Sequence, residues 1–469
     1  MSDHRDPPPS SSHTMHIRRA VDEIRHGMEK LSIKLSDGTA DIFDGCAQQQ
    51  VFHSAWVASQ RYKQDRDDGL KYIHTRTNID EIICNDMDTY KFKQQYINRN
   101  IPCIIQGMDK THFADISTQW RCTNHLKSND TQINTDWFTR FVGNDTLVPV
   151  RFDLGSSNDA NLLDDDGRAQ ECETKQMKLS EWISDTTAKS SGYLKDWHLV
   201  EYLSNNSVQS TDTSSSCLPL YTTPDFFERD LLNNFLKRYQ CGDYKFVYWG
   251  PAGSKTHLHS DVMHSFSWSY NVVGKKKWIF HVPPCYNDGS NTVNVNQRFE
   301  VIQNTGETMF IPATWKHEVV NLVETISINH NWITASNIDK TWECMMIEMQ
   351  AIEKEVNEWG IPDDDFGARE NMLRGCIGLN VTMFTLMMIL EMVELFMTII
   401  GSTNEEEDKV WDCAYNIFRL EQVLTIVLRQ PNVLQRLGAI LDSEPYALDV
   451  EKFATVLLSY TSKLKHDTI

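Results

Sequence analysis

Between Tyr244 and Trp332 the chain resolves into short runs, YKFVYWG, SFSWSYNVVG, KKWIFHVP, RFEVIQ, TMFIPA, EVVNLV and TISINHNWI, punctuated by Gly and Pro. β-Branched and aromatic side chains of this kind suit a pleated, half-buried surface, and Gly and Pro supply the turns between. Runs so regularly spaced imply a sandwich or barrel of antiparallel strands.

The flanks read differently. In FKQQYINRNIPCIIQGM, Phe92 and Tyr96 stand four apart on one helical face, Pro102 stops the helix, and Cys103-Ile104-Ile105 reads as a short buried strand. Leu147 to Phe152 is strand-like and Lys178 to Ser184 helical, so this region mixes α and β. Residues 1–14, rich in Pro, Ser and His, predict a flexible tail; 158–167 reads as an acidic loop, and SNNSVQSTDTSSS as an exposed loop or insert. Beyond about Asn337, WECMMIEMQAIEKEVNEWG and later segments space apolar residues three and four apart, so the C-terminal region is helical. No internal repeat is visible.

Composition narrows the partners. Lysine and arginine total 45 against 65 acidic residues, a net charge of −20, which opposes a phosphate backbone and argues against nucleic acid as a ligand. The same charge tolerates or attracts a basic protein, although an acidic surface is also ordinary for a soluble chain. Eleven cysteines without CxxC or CxxxC spacing argue against a disulfide framework and a zinc finger. The N-terminus lacks an apolar signal core, and Leu379 to Ile400 carries Glu391 and Glu394, each costing about 3 kcal/mol at mid-bilayer. The expectations are a buried soluble helix, no membrane, and a reducing cytoplasm or nucleus. Met383, Met387, Met388, Met392 and Met397 on that helix read as core, or as an adaptable surface for the other subunit of a homodimer. Glu405-Glu406-Glu407-Asp408 reads as a solvated loop.

The chemistry concentrates in Thr256-His257-Leu258-His259-Ser260-Asp261. On a strand, alternate side chains share a face, so His259 and Asp261 point the same way and can grip one metal ion. By the same alternation His257 can also face the pocket. His317 lies 56 positions after Asp261 and follows TMFIPATW, whose Pro-bounded turn would aim it back across a barrel. Two imidazoles and one carboxylate leave three adjacent coordination positions open, which suits non-haem Fe(II) that must take a cosubstrate and O2 side by side. In Gly274-Lys275-Lys276-Lys277-Trp278-Ile279-Phe280, Lys276 shares a face with Trp278 and Phe280, opposite Lys275 and Lys277. A lysine turned among apolar residues needs an anion to pair with, and a dicarboxylate would supply one.

The runs THLHSDVMHSFSWSYNVVGKKKWIFHVPP and GETMFIPATWKHEVVNLVETISINHNW, with FKQQYINRNIPCIIQGM, GYLKDWHL and DYKFVYWGPAG upstream, resemble the JmjC family of Fe(II)- and 2-oxoglutarate-dependent oxygenases, and within it the small hydroxylase branch. The likeness implies an α+β chain: a flexible tail 1–14, an oxygenase region 70–345 whose double-stranded β-helix (jelly-roll, cupin-like) core spans about 244–333, N-terminal helices, and a helical region 346–469. It implies His259, Asp261 and His317 as the iron ligands and catalytic centre. Lys276 would take the far carboxylate of 2-oxoglutarate, with Tyr193 and Thr256 as hydroxyl donors beside it. Ser269 and Asn329 match polar positions that touch the cosubstrate in related hydroxylases. His257 is set aside, because the family's first ligand stands two residues before the Asp. The implied reaction consumes O2 and 2-oxoglutarate, yields succinate and CO2, and hydroxylates a lysine of a translation termination factor. A histone lysine demethylase would use the same iron site, and a catalytically silent binding module would keep only the fold.

Overall fold

Eight strands build the centre of the molecule: β1 (Lys245–Gly250), β2 (Lys255–His259), β3 (Phe266–Val273), β4 (Lys276–His281), β5 (Arg298–Gln303), β6 (Thr308–Ile311), β7 (Lys316–Asn321) and β8 (Thr325–Trp332). The structure is a computed structural model, and it describes residues 10–36, 46–123, 131–153, 172–186, 191–207, 220–227, 229–286, 292–293, 297–359, 366–402, 406–430, 433 and 444–466. The strands form two facing sheets, in the orders β6-β3-β8-β1 and β5-β4-β7-β2, and every pairing within them is antiparallel. This is the double-stranded β-helix expected from the strand spacing and the family likeness. The first sheet is widened by Cys103–Gln106 and Asp80–Ile83 beside β6, and by Gly192–Trp197, Leu147–Asp153 and Cys172–Lys178 beside β1.

The two sheets differ in what they cover. β5 alternates exposed and buried residues, as a sheet wet on one side must, whereas β3 and β8 are buried along their whole length. Along β3 the sequence alternates Phe266, Trp268 and Tyr270 with Ser267, Ser269 and Asn271. The aromatic residues point outward: Tyr270 stacks on Phe113 at 4.0 Å and Trp268 on Phe227 at 5.5 Å between ring centroids. Each large apolar side chain so buried contributes about 1.5–3 kcal/mol. The small polar residues are left to face the barrel interior, where Ser267 on β3 and Asn329 and Asn331 on β8 line one cavity. The same alternation that builds the outer core therefore makes a polar interior.

A second apolar core joins the two ends of the chain. Helices Ser10–Ser36 and Cys46–Gln60 pack with Val381–Gly401 and Glu407–Leu428. Helix Val381–Gly401 is long and apolar enough to cross a bilayer, yet 78% of its apolar window is buried in this core. Glu391 reaches Arg229 at 3.5 Å and Glu394 reaches Arg238 at 2.5 Å, so both acids are ion-paired. Met383, Met387, Met388 and Met392 are buried in this core, and Met397 packs against it partly buried. Asp339 joins the helical layers by pairing with Arg66 and Arg419, each at 2.8 Å. Burial works against its charge, but the two guanidinium groups hold the Asp339 carboxyl below its usual range.

Two local readings change. The helix Ser10–Ser36 begins inside the stretch read as a tail, because Ile17, Ala20, Val21 and Ile24 pack on the C-terminal helices; residues 1–9 lie outside the described residues. Glu407 and Asp408 open a helix instead of lying in a loop, with acidic side chains favoured at its N-terminal end; Glu405 lies outside the described residues. The acidic loop 158–167 and the greater part of the Ser-rich insert, 208–217, also lie outside them.

Candidate active site

β2 and β7 are paired so that His259 stands opposite His317, with ring centroids 4.4 Å apart. Strand β2 stops at His259, and Asp261 lies two residues on, its backbone still extended (φ −61°, ψ 148°), at the head of the single turn Val262–His264. The ligand atoms of His259, Asp261 and His317 all lie within 4.8 Å of one another. The ring Nδ1 atoms of His259 and His317 lie 2.8 Å and 3.0 Å from the carbonyl oxygens of His257 and Trp315. A carbonyl can only accept, so each Nδ1 carries the proton and each Nε2 lone pair is free for a metal. Burial pushes the His317 imidazole below its ordinary value, against the pull of Asp261, which keeps it in the neutral form that coordinates. Ser267 Oγ donates to the Asp261 carboxylate at 2.6 Å and orients it.

Beside the triad the barrel holds a buried ammonium. Lys276 on β4 is 2% exposed, and its Nζ donates to Ser327 Oγ at 2.6 Å. Burial, with the charge of Lys195 adding to it, pushes this lysine down to about 7. The Ser269 hydroxyl is buried with no hydrogen-bond partner among the described residues. A buried ammonium supported by one hydroxyl, and an orphaned hydroxyl on the same interior, are groups that a carboxylate would satisfy. The cavity beside Lys276 is lined by Tyr193, Thr256, Lys276 and Asn329 together with the triad. The Tyr193 hydroxyl lies by the side chains of Asn321 and Thr256, and burial pushes its pKa up, so it stays a donor. The donor set therefore fits a divalent metal with a dicarboxylate next to it.

Seven of the eight residues singled out in the sequence line this cavity; the eighth, Ser269, lies further along the same face of β3, and Ser267 takes the place in the wall. His257 does not line it, although strict alternation allows it to. His317 opposes His259 and Val319 opposes Thr256, so one residue of β7 faces two of β2. This bulge puts Thr256 and His259, three apart, on the cavity side. Sequence reasoning missed Ser267, Ser327, Asn331, Tyr248 and Lys195. The alternation of Ser and Asn with large apolar residues in SFSWSYN and TISINHNW is the signal that could have found the first three.

The turn before β7 is conformationally unusual. Thr314 has φ +70°, a region β-branched residues rarely enter, and its carbonyl accepts from Ser260 Oγ at 3.4 Å. The segment carrying Asp261 and the turn that precedes β7 and His317 are thus tied together. A second group, His198, Glu201 and Asp243, also brings three ligand atoms within 4.8 Å, but His198 Nδ1 is already bonded to Asp243 at 2.7 Å and its side chain is 43% exposed.

Comparison with known proteins gives the same picture from a different direction. Residues 291–332 match the JmjC domain, hydroxylase, family. The chain is 36% identical over 215 residues to 2-oxoglutarate and iron-dependent oxygenase JMJD4 of Gallus gallus, covering 41% of this chain and 48% of that protein, so it spans about half that relative's length. It is 30% identical over 336 residues to the Drosophila melanogaster homolog of JMJD4, covering 63% of this chain and 74% of that protein. It is also 30% identical over 351 residues to arginine-specific demethylase JMJ20 of Arabidopsis thaliana, covering 66% of this chain and 69% of that protein.

Proposed function

The chain belongs to the JmjC family of 2-oxoglutarate and iron-dependent oxygenases, and from that premise we propose that it hydroxylates a protein side chain, a lysine of a translation termination factor. The reading rests on one observation, the convergence of His259, Asp261 and His317 beside the buried ammonium of Lys276. In this reading His259, Asp261 and His317 hold Fe(II). Lys276, supported by Ser327, takes the far carboxylate of 2-oxoglutarate, and Tyr193 and Thr256 donate beside it. When bound, Fe(II), 2-oxoglutarate and O2 supply the oxidising power: one oxygen atom enters a substrate C–H bond as hydroxyl and the other enters succinate, with loss of CO2.

The protein's own share is placement. Ser267 fixes the Asp261 carboxylate, the backbone carbonyls of His257 and Trp315 fix the two imidazoles, and the aromatic face of Trp278 closes the cavity behind His317, with ring centroids 5.6 Å apart. A net charge of −20 favours a basic target over nucleic acid. The lysine and the termination factor follow from the likeness to the hydroxylase branch, and such a target puts the protein in the cytoplasm, with the nucleus second. The buried methionines lend no support to a homodimer through the C-terminal helices.

A second reading is favoured by the Arabidopsis relative, which is named an arginine-specific demethylase. Hydroxylation at a side-chain carbon leaves a stable alcohol, whereas hydroxylation at an N-methyl carbon releases formaldehyde. Purified full-length protein should be incubated with Fe(II), ascorbate, 2-oxoglutarate and a termination factor or methylated arginine peptides. Succinate formation with a gain of one oxygen on a termination-factor lysine supports the proposal. Formaldehyde from the methylated peptides, with no oxygen gained by the factor, replaces it with the second reading.

A further inference from the structure

The turn that leads into His317 is braced from outside the barrel. Helical segment Lys93–Ile97 closes with a chain reversal in which the Asn100 N–H donates to the Ile97 carbonyl at 3.1 Å and the Ile101 N–H to the Tyr96 carbonyl at 3.2 Å. Asn100 itself has φ +54°. Helices are commonly closed by such a bond pair around a left-handed residue, and glycine is its usual occupant because it has no Cβ to strain. Asparagine adds something glycine cannot. Its side-chain Nδ2 donates to the Ala313 carbonyl at 3.0 Å, while its backbone carbonyl accepts from the Trp315 indole Nε1 at 2.9 Å. The two bonds straddle Thr314, the β-branched residue at φ +70°. Beyond it the Trp315 carbonyl accepts from Nδ1 of His317 at 3.0 Å. Asn100 therefore grips the turn on both sides of its strained member, next to the carbonyl that orients the imidazole. The grip is anchored in turn: Asn98 Oδ1 accepts from Ser336 Oγ at 3.1 Å and from the Tyr415 hydroxyl at 3.2 Å, which ties this loop to the helical C-terminal region.

Resting on the oxygenase reading, we propose that Asn100 is a positioning residue for the iron ligand His317. A β-branched residue leaves the left-handed region when nothing holds it there, and a conformation of this kind persists only where its surroundings over-determine it. If Thr314 relaxed to extended backbone, the peptide plane beyond it would turn and the Trp315 carbonyl would swing away from Nδ1. The bonds to Ala313 and Trp315 prevent that. The other imidazole is held differently: its Nδ1 donates to the carbonyl of His257, which belongs to β2 and has its peptide plane set by the strand. Loss of the brace should therefore be felt at His317 and not at His259. Asn100 touches neither the ligand atoms nor the cavity, so it acts through the turn alone. An asparagine that served only to close the helix could be replaced by glycine without loss.

The test is Asn100→Gly in the full-length protein, which keeps the left-handed backbone and the carbonyl that receives Trp315 and removes only the side-chain amide. With histidines labelled in nitrogen-15, exchange of the ring N–H protons with solvent is followed by NMR on metal-free protein. The Nδ1 proton of His317 should exchange about tenfold faster than in wild type, the size of one lost hydrogen bond, while that of His259 is unchanged. Mn(II) affinity, titrated by electron paramagnetic resonance, should fall about threefold to tenfold, less than for a partner bonded directly to a ligand. Asn100→Asp keeps the shape and puts an acceptor where the donor was, and should do at least as much. Wild-type exchange and wild-type Mn(II) affinity in both variants overturn the proposal and leave Asn100 a helix cap. Equal acceleration at both histidines also overturns it, since a general loosening of the barrel would then account for the change. Exchange is read without metal, so it stands apart from the oxygenase reading, which fails separately if the wild-type protein binds no Mn(II) or if His317→Ala binds it as tightly as wild type.

Discussion

Replacing Lys276 by Met should stabilise the protein while abolishing its affinity for 2-oxoglutarate. The side chain is 2% exposed, and burial pushes it from the ordinary 10.5 down to about 7. That fall corresponds to a charging cost of about 5 kcal/mol. Its folded-state value lies below its unfolded one, so the cost is complete below about pH 7, shrinks as pH rises toward 10.5 and is gone above it. Methionine of similar length removes the cost. It also removes the bond to Ser327, about 1 kcal/mol, but Ser327 keeps the donor Asn329 Nδ2 at 3.0 Å. The expected net gain is about 3–4 kcal/mol near pH 6 and about 1 kcal/mol near pH 9. Urea denaturation of metal-free, cosubstrate-free protein at the two pH values reads this as a midpoint difference that narrows with rising pH. With Mn(II) present throughout, adding 2-oxoglutarate should raise the wild-type midpoint and leave that of the variant unmoved. A variant less stable than wild type at pH 6, or one that the diacid still stabilises, would refute the idea that Lys276 is a buried cation waiting for an anion.

Two further substitutions probe the walls of the site. Ser267→Ala removes the 2.6 Å bond that orients Asp261, so Mn(II) affinity, titrated by electron paramagnetic resonance, should fall about tenfold to a hundredfold; wild-type affinity would show that Asp261 needs no such support. Gly250→Ala would drive a Cβ into Ser254 Oγ and place it 2.7 Å from the Tyr193 ring and 2.9 Å from Asn321 Nδ2, so the tyrosine and the two side chains beside it must shift. 2-Oxoglutarate affinity should drop about tenfold with Mn(II) affinity unchanged, and equal losses of both would mean that the whole barrel had shifted.

The barrel was legible because its strands carry the strongest local signal a chain has, aromatic and β-branched runs cut by Gly and Pro. The triad was legible from residue types and from the period-two rule: Asp261 stands two residues after His259 and keeps an extended backbone past the end of β2. The same rule allowed His257 to face the cavity, where a bulge substitutes Thr256. Lys195 was legible in principle and was passed over: two residues after Tyr193 on strand Gly192–Trp197, it reaches the same cavity by plain alternation. Ser267 and Ser327 were passed over because serine in a strand has no signature until its partners are known, here Asp261 and Lys276. In the helical region the methionines of Val381–Gly401 fitted core and docking surface alike, and only the packing of helix Ser10–Ser36 against them decides for core.

Anomalous diffraction from crystals grown with Mn(II) and 2-oxoglutarate tests the central claim most directly. The account predicts one strong peak bounded by Nε2 of His259, Nε2 of His317 and the Asp261 carboxylate, with the diacid running from it toward Lys276. A peak held instead by His198, Glu201 and Asp243, or no peak between β2 and β7, would contradict it.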